Sequence, residues 1–224
     1  MTLAFRVVSG SRLSGLAVEG SDTDYLEVHV GTQSQYLGVA QLTESKQVQL
    51  GGSDVRMYDL RKFANLLMAG NYQCLSALYA PVEFVEFCHP AFFRLIENRA
   101  AFLSRNSVAS ALGQARGEVA RMQGVYDAKG AARALFLVGE AQDMMLHGSV
   151  LTWAGPVAKA VRSGQLGEAT FKRLYKEGMD RANEFSGNPR GKPNFVGDRE
   201  PDREFVSGLV SSVVFGTWAA GGTA

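Results

Sequence analysis

A glycine and a serine, Gly10-Ser11, follow the apolar run LAFRVV, and two aspartates, Asp22 and Asp24, follow in the same polar stretch, SGSRLSGLAVEGSDTDY at residues 9–25. Glycine lets a backbone approach a ligand closely. Free amides at a helix start, with a serine hydroxyl beside them, can hold a phosphate. Asp22 and Asp24 are two residues apart, so in an extended segment their carboxylates share a face. Carboxylates that close repel each other unless a cation lies between them. Magnesium bound to a polyphosphate meets that need, because it takes a few carboxylates and keeps its other positions for phosphate oxygens and water. A third carboxylate from a neighbouring strand would complete a two-metal site. Asp54, at the head of DVRMYD, is the candidate, with Glu27 and Asp59 as weaker ones. Glu27 is an odd number of residues from Asp24 and faces away from it on a regular strand. In such a site one metal activates a hydroxyl and the other holds the triphosphate and the departing pyrophosphate. Ser11 then grips the leaving phosphates; no adjacent base would make it a nucleophile. Taken alone, SDTD also reads as an ordinary polar turn. The combination of strand, Gly-Ser, Asp-x-Asp and second strand is what singles it out.

These residues need strands to carry them. Leu3–Val8 reads as a first strand, stopped by Ser9-Gly10, and residues 10–22 as a turn with a short helix. Tyr25–Val30 alternates as a second strand. Tyr36–Leu42 and Gln47–Leu50 read as brief strands around a polar turn, and Asp54–Asp59 as another strand. LRKFANLLMAG then places Leu60, Phe63, Leu66 and Leu67 on one helical face, with Gly70 as its stop. Residues 1–85 are therefore expected to form an α/β core. Residues 86–224 read as a helical region, with helices over 107–127 and 130–147, over VAKAVRSGQL and over ATFKRLYKEGMDRANEF. A solvated loop at 186–204 precedes a last packing helix, FVSGLVSSVVFGTWAAGG. The expected fold class is α+β: a small mixed sheet followed by helices.

The chain has 224 residues, 46% of them hydrophobic and 20% charged, which supports a sizeable core and gives no expectation of disorder. A formal net charge of +1 gives no argument for broad electrostatic capture of nucleic acid, and none against a local basic cleft. With two cysteines no disulfide framework is expected, and a reducing, cytoplasmic setting is the default. No secretory signal or membrane span is expected. His29, His89 and His147, taken with Cys74 and Cys88, show no zinc spacing. Gly51-Gly52-Ser53 lacks the lysine of a P-loop.

GSRLSGLAVEGSDTDY resembles the signature of the DNA polymerase beta-like nucleotidyltransferase superfamily, a Gly-Ser followed by Asp-x-Asp. Within it the chain looks most like the branch of predicted nucleotidyltransferases found beside RNA ligases and in phages. The likeness continues in DVRMYDLRKFANLLMAGNYQCLSALYAP, in DAKGAARALFLVGEAQDMMLHGSV and in VAKAVRSGQLGEATFKRLYKE. It spans about residues 5–185 and leaves out the last 40. The resemblance implies a polymerase beta-like palm and transfer of a nucleoside monophosphate from a nucleoside triphosphate, ATP among them, to a hydroxyl. Two Mg2+ ions assist and pyrophosphate leaves. Gly10 and Ser11 would contact phosphate, Asp22 and Asp24 would hold both metals, and Asp54 would be the third carboxylate. The acceptor would be an RNA or tRNA end, or a protein. The chain departs from the branch in having Asn71-Tyr72 where Asn-Pro is usual. On the later helix Lys129 is kept, while Arg133 and Phe136 stand where a histidine and an arginine are usual.

Other cations could meet phosphate. Arg12 adjoins Ser11, and Arg56 shares a strand face with Asp54. Lys129 and Arg133 stack four apart on one helical face. Each could equally be a solvated or ion-paired side chain. Trp153 is read as packing rather than stacking on a base. A second functional reading is a nucleotide-binding or partner-binding regulatory protein on the same fold with weak or no transfer. A third gives the helical half a homo-oligomer interface.

Overall fold

The computed structural model describes residues 1–187, 196 and 199–220. The chain opens with β1 (Thr2–Ser9), a four-residue helical turn α1 (Gly10–Leu13) and β2 (Asp24–Val30). A short helix α2 (Gln33–Tyr36) leads to the hairpin of β3 (Ser45–Leu50) and β4 (Ser53–Asp59). Helices α3 (Leu60–Met68) and α4 (Tyr72–Leu78) precede β5 (Val85–Cys88). The remainder is helical: α5 (Phe93–Glu97), α6 (Arg105–Arg121), α7 (Ala128–His147), α8 (Pro156–Arg162), α9 (Glu168–Gly187) and α10 (Arg203–Ala220). Most of the expected loop at 186–204 lies outside the described residues.

The five strands run in the order β3-β4-β2-β1-β5. β2 and β4 are parallel, and the other neighbours are antiparallel. The mixed sheet with its helices is the α+β architecture expected from the sequence. The register explains how one sheet face changes character along its length. Phe5 lies opposite Val28, and Val28 opposite Tyr58. One step on, Val7 lies opposite Leu26, Leu26 opposite Arg56, and Arg56 opposite Gln47. A further step reaches Ser9 and Asp24, which pair, and then Asp54 on β4. Period-two alternation holds all these residues on one face. The apolar rows lie in the core, with Phe5 stacked on Phe92 at 4.7 Å. The polar row sits at the strand ends. The opposite face carries Glu27, which pairs with Arg6 at 2.9 Å and with His29 at 2.8 Å.

Two expectations need correction. Residues 36–42 do not form a strand. Thr32 and Gln35 form a capping box that starts α2 instead, and the turn satisfies the backbone locally. The brief run Val85–Cys88, most of it inside the region expected to be helical, forms the edge strand beside β1. Asp59 is the N-cap of α3, its carboxylate accepting from the Arg61 amide at 3.0 Å and from the Tyr36 hydroxyl. Asp127 caps α7 in the same way, accepting from the amides of Lys129 and Gly130 at 3.0 and 2.8 Å. Helix α7 packs against α6, α8 and α9, which places it over the polar end of the sheet face. Helix α10 closes the far side, where Trp218 Nε1 donates to the Gly31 carbonyl at 2.9 Å. Among the described residues no helix is long and apolar enough to cross a membrane.

Candidate active site

A cleft of about 310 Å³ opens where the polar strand ends meet α4, α7 and α8. Gly10 and Ser11 line it from the first turn, Asp24 from β2, and Asp54 and Arg56 from β4. Lys129 and Arg133 line it from α7. Asp24 and Asp54 each precede the registered pair Tyr25–Val55 by one residue, so the parallel register sets them side by side. Burial raises the Asp24 carboxyl above its ordinary range, and the charges of Asp54 and Asp22 raise it further. Lys129 and Arg133 pull in the other direction. Two neighbouring acids and both helix cations therefore act on one carboxylate.

Gly10 has a φ of +65°, a conformation that disfavours any side chain. A Cβ there would stand 2.1 Å from Asp24 Oδ2. The glycine is thus required twice, for the turn and for room at the carboxylate. Beyond it the turn closes on the Ser11 carbonyl, which accepts from the amides of Leu16 at 2.9 Å and Ala17 at 3.0 Å.

The expected residues are distributed unevenly. Asp22 is exposed at the rim and does not line the cleft, although its charge reaches Asp24. Arg12 does not line it either. Its guanidinium donates to the carbonyls of Ser21 at 2.7 Å and Asp22 at 3.3 Å, and so fastens the loop that carries Asp22. Arg56 donates to Gln73 Oε1 on α4, tying the sheet to that helix. Arg133 Nε pairs with Glu118 at 3.1 Å while still bordering the cleft. Asp59 is occupied as a helix cap, and Glu27 lies across the sheet. Residues without a local sequence signal also line the cleft: Gln47, Tyr72, Gln73, Ser76 and Arg162. Arg162 Nε donates to the Leu16 carbonyl at 3.2 Å, so α8 is anchored to the first turn across 146 residues.

Among the described residues no three His, Cys, Asp or Glu side chains form a ready-made metal cage. Asp24 and Asp54 instead form an acidic pair with Asp22 nearby, facing basic side chains across the cleft. That donor set fits a hard cation that brings its own phosphate and water ligands, as Mg2+ does, rather than a dehydrated structural ion.

The family model for the RNA repair pathway DNA polymerase beta family, RlaP, matches residues 1–136. The chain belongs to that family. RlaP membership places it in the polymerase beta-like nucleotidyltransferase superfamily and indicates a nucleotidyltransferase-type activity. The match takes in Gly10-Ser11, the aspartates, and Lys129 with Arg133, and it stops before Glu140 and Arg162. No curated protein matches the RlaP-family chain. Among solved structures it is similar to a nucleotidyltransferase-like protein from Exiguobacterium sibiricum 255-15, at 9% identity and a TM-score of 0.31, over 96% of this chain and 67% of that one.

Proposed function

We propose that the chain transfers a nucleoside monophosphate from a nucleoside triphosphate to a hydroxyl at an RNA end, with Mg2+. The observation that carries this reading is the pairing of Asp24 and Asp54 on parallel strands, in one cleft with Gly10-Ser11 and opposite Lys129 and Arg133. The RNA acceptor is favoured by the family's place in RNA repair.

Asp24 and Asp54, with Asp22 from the rim, would hold the magnesium. Bound there, it supplies positive charge to the triphosphate and acidifies the acceptor hydroxyl. Gly10-Ser11 positions the phosphates from the turn side. Lys129, Arg133 and Arg162 neutralise them from the helical side, and position plus charge is most of what phosphoryl transfer asks of a protein. The acceptor oxygen forms a bond to the α-phosphorus as the bridging bond to the β-phosphate breaks. Pyrophosphate leaves, and the hydroxyl proton passes to the Asp54 carboxylate and then to water.

The test is incubation with α-labelled triphosphates, Mg2+ and a short RNA. Labelled RNA and pyrophosphate are expected, both lost with a chelator and in Asp24→Asn. Labelling that survives Asp24→Asn refutes the reading. A binding-only protein is the second reading, favoured by the existing Arg133–Glu118 pair and by the apolar Phe136 beside it. It predicts calorimetric triphosphate binding without pyrophosphate release.

A further inference from the structure

The first turn has two faces. Ser11, Leu13, Ser14 and Leu16 line the catalytic cleft, whereas Arg12, Gly15 and Ala17 line a shallow groove behind it. Val8, Trp153 and Phe84 complete that groove. Trp153 belongs to the link between α7 and α8, which is hydrogen-bonded to the same turn, Ala154 N donating to the Ser14 carbonyl at 2.8 Å. The indole lies flat on Gly15, where a Cβ would meet three ring atoms at 2.8 to 2.9 Å. Gly15 also has a φ of +66°, so this turn accepts the ring only with glycine at its apex. The ring is fixed in place yet is not packed away. It remains 53% exposed, with Phe84 tilted beside it at 6.4 Å between centroids. Lys159 Nζ sits 4.2 Å from its centroid.

An aromatic ring half in water at a fixed position, with one cation over it and another lining the same groove, has the chemistry of a stacking platform for unpaired bases. Every base offers a π-face, and the lysine and arginine can meet the phosphates on either side. Lys159 already covers the ring, so an arriving base displaces its ammonium toward the adjoining phosphate. The position suits an acceptor strand: the same turn separates the groove from the cleft that holds Asp24. We propose that Trp153, with Phe84, Lys159 and Arg12, holds an unpaired base of a single-stranded RNA segment while the strand's end occupies the catalytic cleft. This rests on the RNA-end reading of the acceptor given above.

Trp153 and Trp218 are the only tryptophans in the sequence, so Trp218→Phe leaves Trp153 as the sole reporter. The experiment titrates that protein with a single-stranded RNA decamer, a blunt RNA duplex of the same sequence, and polyglutamate. Quenching by the single strand, and little by the other two, is expected. Fluorescence anisotropy of an end-labelled decamer, which needs no tryptophan, should show single-strand affinity weakened about tenfold in Trp153→Ala and mostly kept in Trp153→Phe. The triphosphate dissociation constant, measured in parallel, verifies that each variant is folded. Unchanged RNA affinity in Trp153→Ala overturns the inference, as does equal quenching by polyglutamate, which would mark a surface for acidic proteins. RNA bound at Trp153 without transfer under any condition supports this inference while refuting the catalytic one. Transfer that depends on Asp24 but ignores Trp153 does the reverse.

Discussion

Replacing Glu140 by glutamine should stabilise the protein by an amount that grows with pH. Glu140 lies in α7, fully buried, with neither carboxylate oxygen hydrogen-bonded to a described residue. Burial, and then the charge of Asp143 one turn on, pushes its carboxyl from 4.5 up to about 9. The folded protein therefore keeps this proton between those values while the unfolded chain releases it. The unfolded state binds fewer protons, so stability falls as pH rises across that window. Each pH unit is about 1.4 kcal/mol. The deficit relative to low pH is then roughly 1 kcal/mol at pH 5.5, 3 at pH 7 and 5 at pH 8.5. A loss of about 3 kcal/mol is a large part of the 5–15 kcal/mol that holds a typical domain. Glutamine keeps the shape and cannot ionise, and its buried amide resembles the protonated acid in cost. Urea denaturation of both proteins at the three pH values, followed by circular dichroism, measures the gap directly. Contributions from other titrating groups cancel in the difference. The gap should open in favour of Glu140→Gln at about 1.4 kcal/mol per pH unit. Parallel stability profiles for the two proteins would refute the reasoning and show that Glu140 ionises in the folded state as freely as in the unfolded one.

Gly10→Ala places a methyl group against Asp24 Oδ2 in a positive-φ position. Labelling of RNA should fall by about 100-fold or more, since displacing a reacting group by an ångström has that effect. Asp59→Ala removes the cap of α3 and leaves the Tyr36 hydroxyl without its acceptor. Urea denaturation should show a loss of roughly 2–3 kcal/mol with triphosphate affinity retained. Lost affinity without lost stability would instead place Asp59 at the site. Lys129→Ala removes a cation from the cleft, and calorimetry should report triphosphate binding weakened about tenfold, less so at high salt.

Much of the sheet was legible because its signals are local. Leu3–Val8, β-branched toward its end, stops at Ser9-Gly10, Asp54–Asp59 ends at a capping Asp, and the observed strands differ only by a residue or so. Helix α3 followed from apolar spacing, and α7 from its composition. Residues 36–42 misled because their apolar content resembles a strand, although Thr32 and Gln35 carried the capping-box signal for a helix. Val85–Cys88 is only four residues long, and its identity as a strand depends on the edge that β1 offers it. Arg12 adjoins Ser11 in sequence, yet its side chain turns to the carbonyls of the loop, which spacing does not reveal.

The sequence alone determined which chemistry was available: an apolar strand delivering Gly10-Ser11, acids that follow it closely, and enough apolar periodicity to hold them on a folded scaffold. Those properties depend on residue type and on neighbours a few positions away, which is where backbone geometry acts. The tertiary structure decided which side chains meet. It set Asp54 beside Asp24 through strand register, and brought Lys129, Arg133 and Arg162 over them through helix packing. It also enclosed Glu140 and left Trp153 in the open. Burial and long-range contact arise only when segments distant in sequence pack together, and no local propensity contains that information.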